Sequence, residues 1–333
     1  MEKNNELLKI QDLHVDFAAQ NSIRAVAGVS LSIKPNTTIG LIGESGCGKS
    51  VLAHAVMQLL PKNASVKGEI LYKGSSLLGL KEAQMRKIRG NEIALIPQNP
   101  SKSLNPVLRI KTQVVEALQK KGKSSIKEAV IEILGLLKKL NLPRPEMQLN
   151  RYPHQLSGGM NQRILAAIGM AGEPSLLIAD EPTKGLDAVN RYQVVKLFEE
   201  VKEQLGSALL LITHDLKVAS YLCDEIGVMY KGQLVEYIPA NILFKQPKHP
   251  YTEALLNSLP GNANPPFKHH ISPMQELAHG CGFYHSCSYA LSECKNGSPP
   301  LFNLNRGHAA RCFLFDKGRK PEEEFSSFLQ TVP

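Results

Sequence analysis

The sequence predicts an α/β fold: a largely parallel central sheet, an antiparallel strand region before it, an inserted helical region and a small cysteine-rich C-terminal extension. Three observations predict it. The apolar run Thr38-Ile39-Gly40-Leu41-Ile42 leads into a glycine-rich turn and then into a helical pattern. Two later runs, Leu176–Ala179 and Ala208–Thr213, are apolar at nearly every position, with a helical stretch Gln193–Leu205 between them. Strands without polar alternation bury both faces, as in a parallel sheet whose crossovers are helices. Between about Pro106 and Gly172 the periodicity is helical throughout, too long for a single crossover.

In chain order, residues 7–33 read as strands, with Leu8, Ile10, Leu13 and Val15 in one run and Val29, Leu31 and Ile33 alternating with polar residues in the next. A helix is expected from Ser50 to Leu60, stopped by Pro61. Val66–Tyr72 suggests a hairpin-like piece, and Ile93–Ile96 another strand. Ile126–Leu140 is amphipathic, with Val130, Ile133, Leu134 and Leu137 on one face. A second helix is expected over Gly158–Met170 behind Ser157 as its N-cap. Near Ile238 the composition turns to Pro, Gly, Asn and His with weak periodicity, which places a separate extension there.

Composition narrows the function. Of 333 residues, 43% are hydrophobic and 21% charged, a globular balance. No apolar run approaches the ~20 residues of a membrane-spanning helix. The start, MEKNNELLKIQ, is polar and lacks the apolar region of a signal peptide. The expectation is a cytoplasmic chain that meets a membrane through a partner. The net charge is +9, and Arg109–Arg144 holds nine basic residues against three glutamates. This reads as a solvated helix face, with proximity to a membrane surface as the second reading. No basic-aromatic array offers stacking for bases, so nucleic acid is not an expected partner.

The glycine turn carries the first chemistry. Gly43-Glu44-Ser45-Gly46-Cys47-Gly48-Lys49-Ser50 matches G-x-x-x-x-G-K-[ST], with Val51 continuing into the helix. The glycines let successive amides turn inward on a triphosphate, and the helix N-terminus adds its positive end. Lys49 reaches the β- and γ-phosphates and Ser50 is placed to ligate Mg²⁺. Cys47 is a small spacer in the loop. Asp180 and Glu181 end the strand Leu176–Ala179, where Asp180 would hold Mg²⁺ and Glu181 would polarise the attacking water. Ser157-Gly158-Gly159 opens a helix and makes a second anion site. One chain has no need of two such sites for one ATP, so two chains sharing two ATPs is the natural reading.

Leu156-Ser157-Gly158-Gly159-Met160 resembles the signature of ABC-transporter nucleotide-binding subunits, the P-loop NTPases that form a head-to-tail ATPase dimer. The resemblance implies that Ser157, Gly158 and Gly159 bind the γ-phosphate held by the other subunit. It implies that Gln98 is the glutamine that senses Mg²⁺ and the permease, that Gly185-Leu186-Asp187 crosses the dimer interface, that His214 contacts the γ-phosphate, and that Phe17 stacks on adenine. Within that family the chain is similar to the oligopeptide/dipeptide importers, through Ser103-Leu104-Asn105-Pro106, His249-Pro250-Tyr251-Thr252, Leu255-Leu256 and Ser258-Leu259-Pro260. It departs from the family pattern at Pro97 (usually aromatic), Lys184-Gly185 (usually Thr-Ala) and Asn161 (usually Arg). The implied organisation is a nucleotide-binding domain over 1–240, with a helical subdomain over about 100–172, and an extension over 241–333. The implied partners are a second ATPase subunit, favoured as a paralogue, two transmembrane permease subunits and, indirectly, a peptide-binding protein. The implied place is the cytoplasmic membrane face. Other readings are an importer of nickel or another small solute, a non-transport ABC ATPase, and an iron–sulfur protein in which ATP is regulatory.

Cys281, Cys287, Cys294 and Cys312 are spaced C-x5-C-x6-C-x17-C. Four thiolates suit Zn²⁺ or an iron–sulfur cluster, and the absence of a tight C-x2–4-C pair suits the larger group. In the similar peptide importers this tail is associated with a [4Fe-4S] cluster, which the resemblance carries to these four positions.

Overall fold

The computed structural model describes residues 6–18, 22–98, 103–120, 125–259, 280–305 and 307–316. Pro260 and parts of the expected extension, 260–279, 306 and 317–333, lie outside the described residues.

The strands are β1 (Leu8–Phe17), β2 (Ile23–Ile33), β3 (Thr38–Ile42), β4 (Ala64–Tyr72), β5 (Ser75–Ser76), β6 (Ile93–Ile96), β7 (Leu176–Asp180), β8 (Ala208–Ile212), β9 (Glu225–Tyr230), β10 (Gln233–Pro239), β11 (Phe302–Asn305) and β12 (His308–Ala310). The helices are α1 (Lys49–Val56), α2 (Glu82–Ile88), α3 (Ile110–Lys120), α4 (Ile126–Lys139), α5 (Pro145–Gln148), α6 (Gly158–Met170), α7 (Ala188–Leu205), α8 (Leu216–Leu222), α9 (Pro250–Asn257) and α10 (Ser292–Asn296).

Two sheets form. An antiparallel one runs β2-β1-β4-β5, and a mixed one runs β11-β12-β10-β9-β3-β8-β7-β6. From β9 to β6 the neighbours are parallel. The period-2 geometry of those strands explains their unbroken apolar runs. Ala208, Leu210 and Ile212 of β8, with Leu176 and Ile178 of β7, enter the core shared with α1 and the antiparallel sheet. Leu209, Leu211, Leu177 and Ala179 enter the core shared with α3, α4, α6 and α7. Each strand is therefore covered on both faces.

In β1 the apolar phase changes between Ile10 and Leu13. A residue would swap faces there unless one were inserted, and a bulge supplies the insertion, with Asp12 at φ 45° and a register shift against both neighbours.

Three elements differ from expectation. Helix α1 ends at Val56, not Leu60. Gln58 turns left-handed at φ 48°, and Arg89 takes up the end of the helix by donating to the carbonyls of Met57 (2.7 Å) and Gln58 (3.0 Å). Helix α7 begins at Ala188, five residues before the apolar pattern does, because Val189 and Tyr192 on its first turns face solvent. The compositional shift at Ile238 falls inside β10, and β12 pairs with that same strand, Glu236 opposite Ala310. The C-terminal segment thus continues the central sheet.

Candidate functional site

Parallel order places the expected residues along one edge. Gln98 follows β6, Asp180 and Glu181 end β7, His214 follows β8, and the loop 43–50 follows β3, and these four strands are consecutive neighbours. All are carboxyl ends, where open α/β sheets bind ligands. Gln98 is half-buried just beyond its strand.

Close backbone approach dictates the glycines of the loop. A Cβ on Gly43, at φ 147°, would lie 2.2 Å from the Met229 carbonyl oxygen, and one on Gly48, at φ 105°, 2.2 Å from that of Ala25. The amide of Gly232 donates to the carbonyl of Cys47 at 3.0 Å and holds the middle of the loop. Glu44, Ser45 and Gly46 are exposed, while Cys47, Gly48 and Lys49 are buried. The Lys49 ammonium donates to the carbonyls of Gly43 (2.7 Å) and Glu44 (2.8 Å), with the Cys47 sulfur at 3.6 Å. Burial pushes the Cys47 thiol up, so it is an inert spacer rather than a nucleophile. Ser50 and Val51, on the first turn of α1, are half-buried.

The Ser50 hydroxyl donates to Asp180 Oδ1 at 3.0 Å. Asp180 is 5% exposed, and burial holds its carboxyl above the usual range, against the hydrogen bond from Ser50. A hydroxyl and a buried carboxylate are the hard oxygen donors that suit Mg²⁺. Glu181 is 6% exposed and sits at φ 49°, a left-handed conformation costly for a non-glycine residue. Its amide donates to the Ile212 carbonyl at 2.8 Å, and the ring N–H of His214, at Nδ1, donates to its Oε2 at 2.6 Å. The turn that aims His214 is built by Asp215, which caps α8 through the amides of Lys217 and Val218.

Ser157 caps α6 as expected, accepting from the Met160 amide at 3.3 Å. Ser157 and Gly158 are exposed, and nothing lies within 4 Å of a Cβ built on Gly158, so this helix start faces outward. Gln162 ties the same helix to the turn after Glu181 by donating to the Pro182 carbonyl at 2.8 Å. Phe17 ends β1, half-buried against the core of the antiparallel side.

Cys281, Cys287, Cys294 and Cys312 all line one small cavity, with His249, Phe283 and Phe313 among its walls. Burial pushes the Cys281 thiol up and those of Cys287 and Cys312 up to about 12. The expected metal centre is supported only in donor chemistry. Among the described residues no three His, Cys, Asp or Glu groups stand close enough together to hold a metal ion. Cys294 sits in the short helix α10, the other three thiols come from loops and turns, and no single element sets their spacing.

Known proteins carry the same two parts. A family model described as ABC transporter matches residues 26–184, and one described as the C-terminal region of oligopeptide/dipeptide transporters matches 235–294. A probable peptide ABC transporter ATP-binding protein of Sinorhizobium fredii is 41% identical over 93% of this chain and 96% of its own. The dipeptide transport ATP-binding protein DppD of Bacillus subtilis is 38% identical over 94% and 96%. The chain belongs to the ATP-binding subunits of oligopeptide/dipeptide ABC transporters. It is an ATPase of the ABC cassette fold. The cassette MJ0796, solved as a dimer in a post-hydrolysis state with ADP and Pi, is similar to 70% of this subunit at 26% identity and a TM-score of 0.63, with 99% of that chain covered. The cbiO1 protein of Clostridium perfringens, part of the ABC transporter complex cbiONQ, is similar to 72% of it at 25% identity and a TM-score of 0.61, with 91% of that chain covered.

Two contacts of this subunit were not anticipated from sequence. Tyr251 accepts a hydrogen bond from the amide of Glu44 in the phosphate loop. Glu236, fully buried, accepts from the amides of Lys248 (2.7 Å) and His249 (2.9 Å) and from His308 (2.8 Å). The pattern His249-Pro250-Tyr251 was visible as a family mark, but its neighbour, more than 200 residues away, was not.

Proposed function

We propose that this chain powers a membrane importer for di- or oligopeptides, as one of two cassettes that clasp ATP head to tail on the cytoplasmic face beneath two permease subunits. The observation that carries the reading is the pair of contacts on neighbouring strand ends, Ser50 with Asp180 and His214 with Glu181. They bring a cation-binding hydroxyl and carboxylate beside a carboxylate suited to activate water.

Lys49, Gly46, Gly48 and the start of α1 bind the triphosphate, and their positive potential offsets the charge that develops during transfer. Mg²⁺ would be held by Ser50 and Asp180, with Gln98 on the same edge, and when bound would supply neutralisation of the triphosphate's charge. Glu181 accepts the proton of the attacking water. His214 holds that carboxylate in place and reaches the γ-phosphate. The outward-facing Ser157, Gly158 and Gly159 serve the ATP of the second subunit, and Phe17 serves adenine. The family's known members and their names support peptide import and the assembly with permeases. A [4Fe-4S] group on Cys281, Cys287, Cys294 and Cys312 belongs to the same proposal, supported by the donor chemistry of four free thiols.

Uptake of labelled di- and oligopeptides by a strain lacking this gene tests the reading. Uptake is expected to fall to background and to return with the wild-type gene. Unchanged peptide uptake alongside lost nickel uptake would overturn the assignment of substrate.

A further inference from the structure

One peptide unit of the phosphate loop is held at both of its polar atoms. The Gly43 carbonyl accepts from the Lys49 ammonium at 2.7 Å. On the other edge of the same peptide plane, the Glu44 amide donates to the Tyr251 hydroxyl at 3.1 Å. A peptide is planar, so fixing its N–H fixes the direction of its C=O.

The tyrosine is itself locked. It is 2% exposed. Its ring packs on Tyr230, with centroids 4.4 Å apart, and on Phe283, 5.6 Å away. Its amide donates to Nδ1 of His249, whose own amide is anchored on Glu236. Proline at the first turn of α9 sets the direction in which the following residue leaves the cap. With ring, amide and cap all held, the hydroxyl has one place to be.

We infer that Tyr251 is a positioning residue for Lys49: by holding the Glu44 amide it aims the Gly43 carbonyl at the ammonium, and so fixes the lysine for the triphosphate. The ATP affinity of this subunit thereby depends on a residue of its C-terminal segment. The inference rests on the loop being the ATP grip.

Removing the hydroxyl leaves the Glu44 amide without a partner and the peptide free to rotate, at the cost of an unmade hydrogen bond. Calorimetric titration of the full chain with MgATP compares wild type with Tyr251→Phe. The dissociation constant is expected to rise about 5- to 10-fold with the binding stoichiometry unchanged. A merely structural role would lower the stoichiometry, because part of the protein would be inactive, and leave the constant alone. That result, or a constant within about twofold of wild type, overturns the inference.

Hydrogen exchange of the Glu44 amide in wild type needs no variant. Protection is expected without nucleotide, and exchange at the rate of a free peptide overturns the inference even if Tyr251→Phe does not fold. Lys49→Ala in the same titration separates the two layers: if that chain binds MgATP as wild type does, the loop is not the grip, whatever Tyr251 does.

Discussion

The nucleotide edge and the cysteine cavity are assembled in opposite ways. At the nucleotide edge each functional residue follows directly on a buried strand, and neighbouring parallel strands set the spacing between them. At the cavity, Cys294 sits in the one-turn helix α10 and Cys281, Cys287 and Cys312 on turns and irregular segments, and what locates them is long-range: β12 paired with β10, and Glu236 gathering Lys248, His249 and His308. The first arrangement is a property of the sheet and survives changes in its side chains. The second depends on buried polar and aromatic contacts, each of which is a point of failure. Changes at the edge are therefore expected to alter chemistry with the fold intact, and changes around the cavity to alter stability first.

The largest effect is expected from Glu181→Gln. It keeps the shape and loses the base, so turnover in the assembled transporter should fall by roughly 10²- to 10⁴-fold with ATP still bound and the melting temperature unmoved. A drop in melting temperature as steep as the loss of turnover would erase the contrast between the two regions. Lys49→Ala comes next. It removes the ammonium that bridges the carbonyls of Gly43 and Glu44, and ATP affinity should fall by about 100-fold, measured by nucleotide titration.

Acidification should act on the other region. His249 is buried and neutral: burial holds it down to about 4, against the Glu236 charge and a hydrogen bond with the Arg311 backbone, which favour its proton, while the Arg311 charge opposes it. The unfolded chain binds this proton near pH 6.5 and the folded chain only near 4. Stability is thus full above pH 6.5 and declines as pH falls toward 4, by roughly 3 kcal/mol for a fully buried histidine. Denaturant unfolding at pH 7 and pH 5 measures it, and His249→Gln should flatten the slope. If the slope persists in that variant, the histidine is not its source.

The smallest effect concerns the thiols. Cys312→Ser should leave ATP affinity within about twofold and abolish iron and sulfide in anaerobically purified protein. Wild-type protein that is colourless, with one zinc per chain, would replace the cluster with a different group.

Much of the nucleotide edge was legible because its signals are local. A buried strand, a glycine turn and a helix start occur within fifteen residues for the loop Gly43–Ser50, and Asp180-Glu181 and His214 each close an apolar run. The end of α1 was not legible, because the carbonyls there are taken by Arg89, which comes thirty residues later. The start of α7 was hidden because Val189 and Tyr192 are apolar but exposed. Strands β11 and β12 are short and only partly alternate, so composition alone made their segment look detached.

By itself the sequence determined which strands are buried on both faces, where the phosphate loop falls, and which family the chain belongs to, since each follows from patterns within a few residues of one another. Only the tertiary structure decided that Ser50 meets Asp180, that His214 meets Glu181, that four distant cysteines share a cavity, and that Tyr251 reaches the amide of Glu44. The three hydrogen-bonded pairs join residues from 33 to 207 positions apart along the chain. Periodicity carries no information about such pairs. They are set by the order of strands in the sheet and by the need of each buried polar group for a partner.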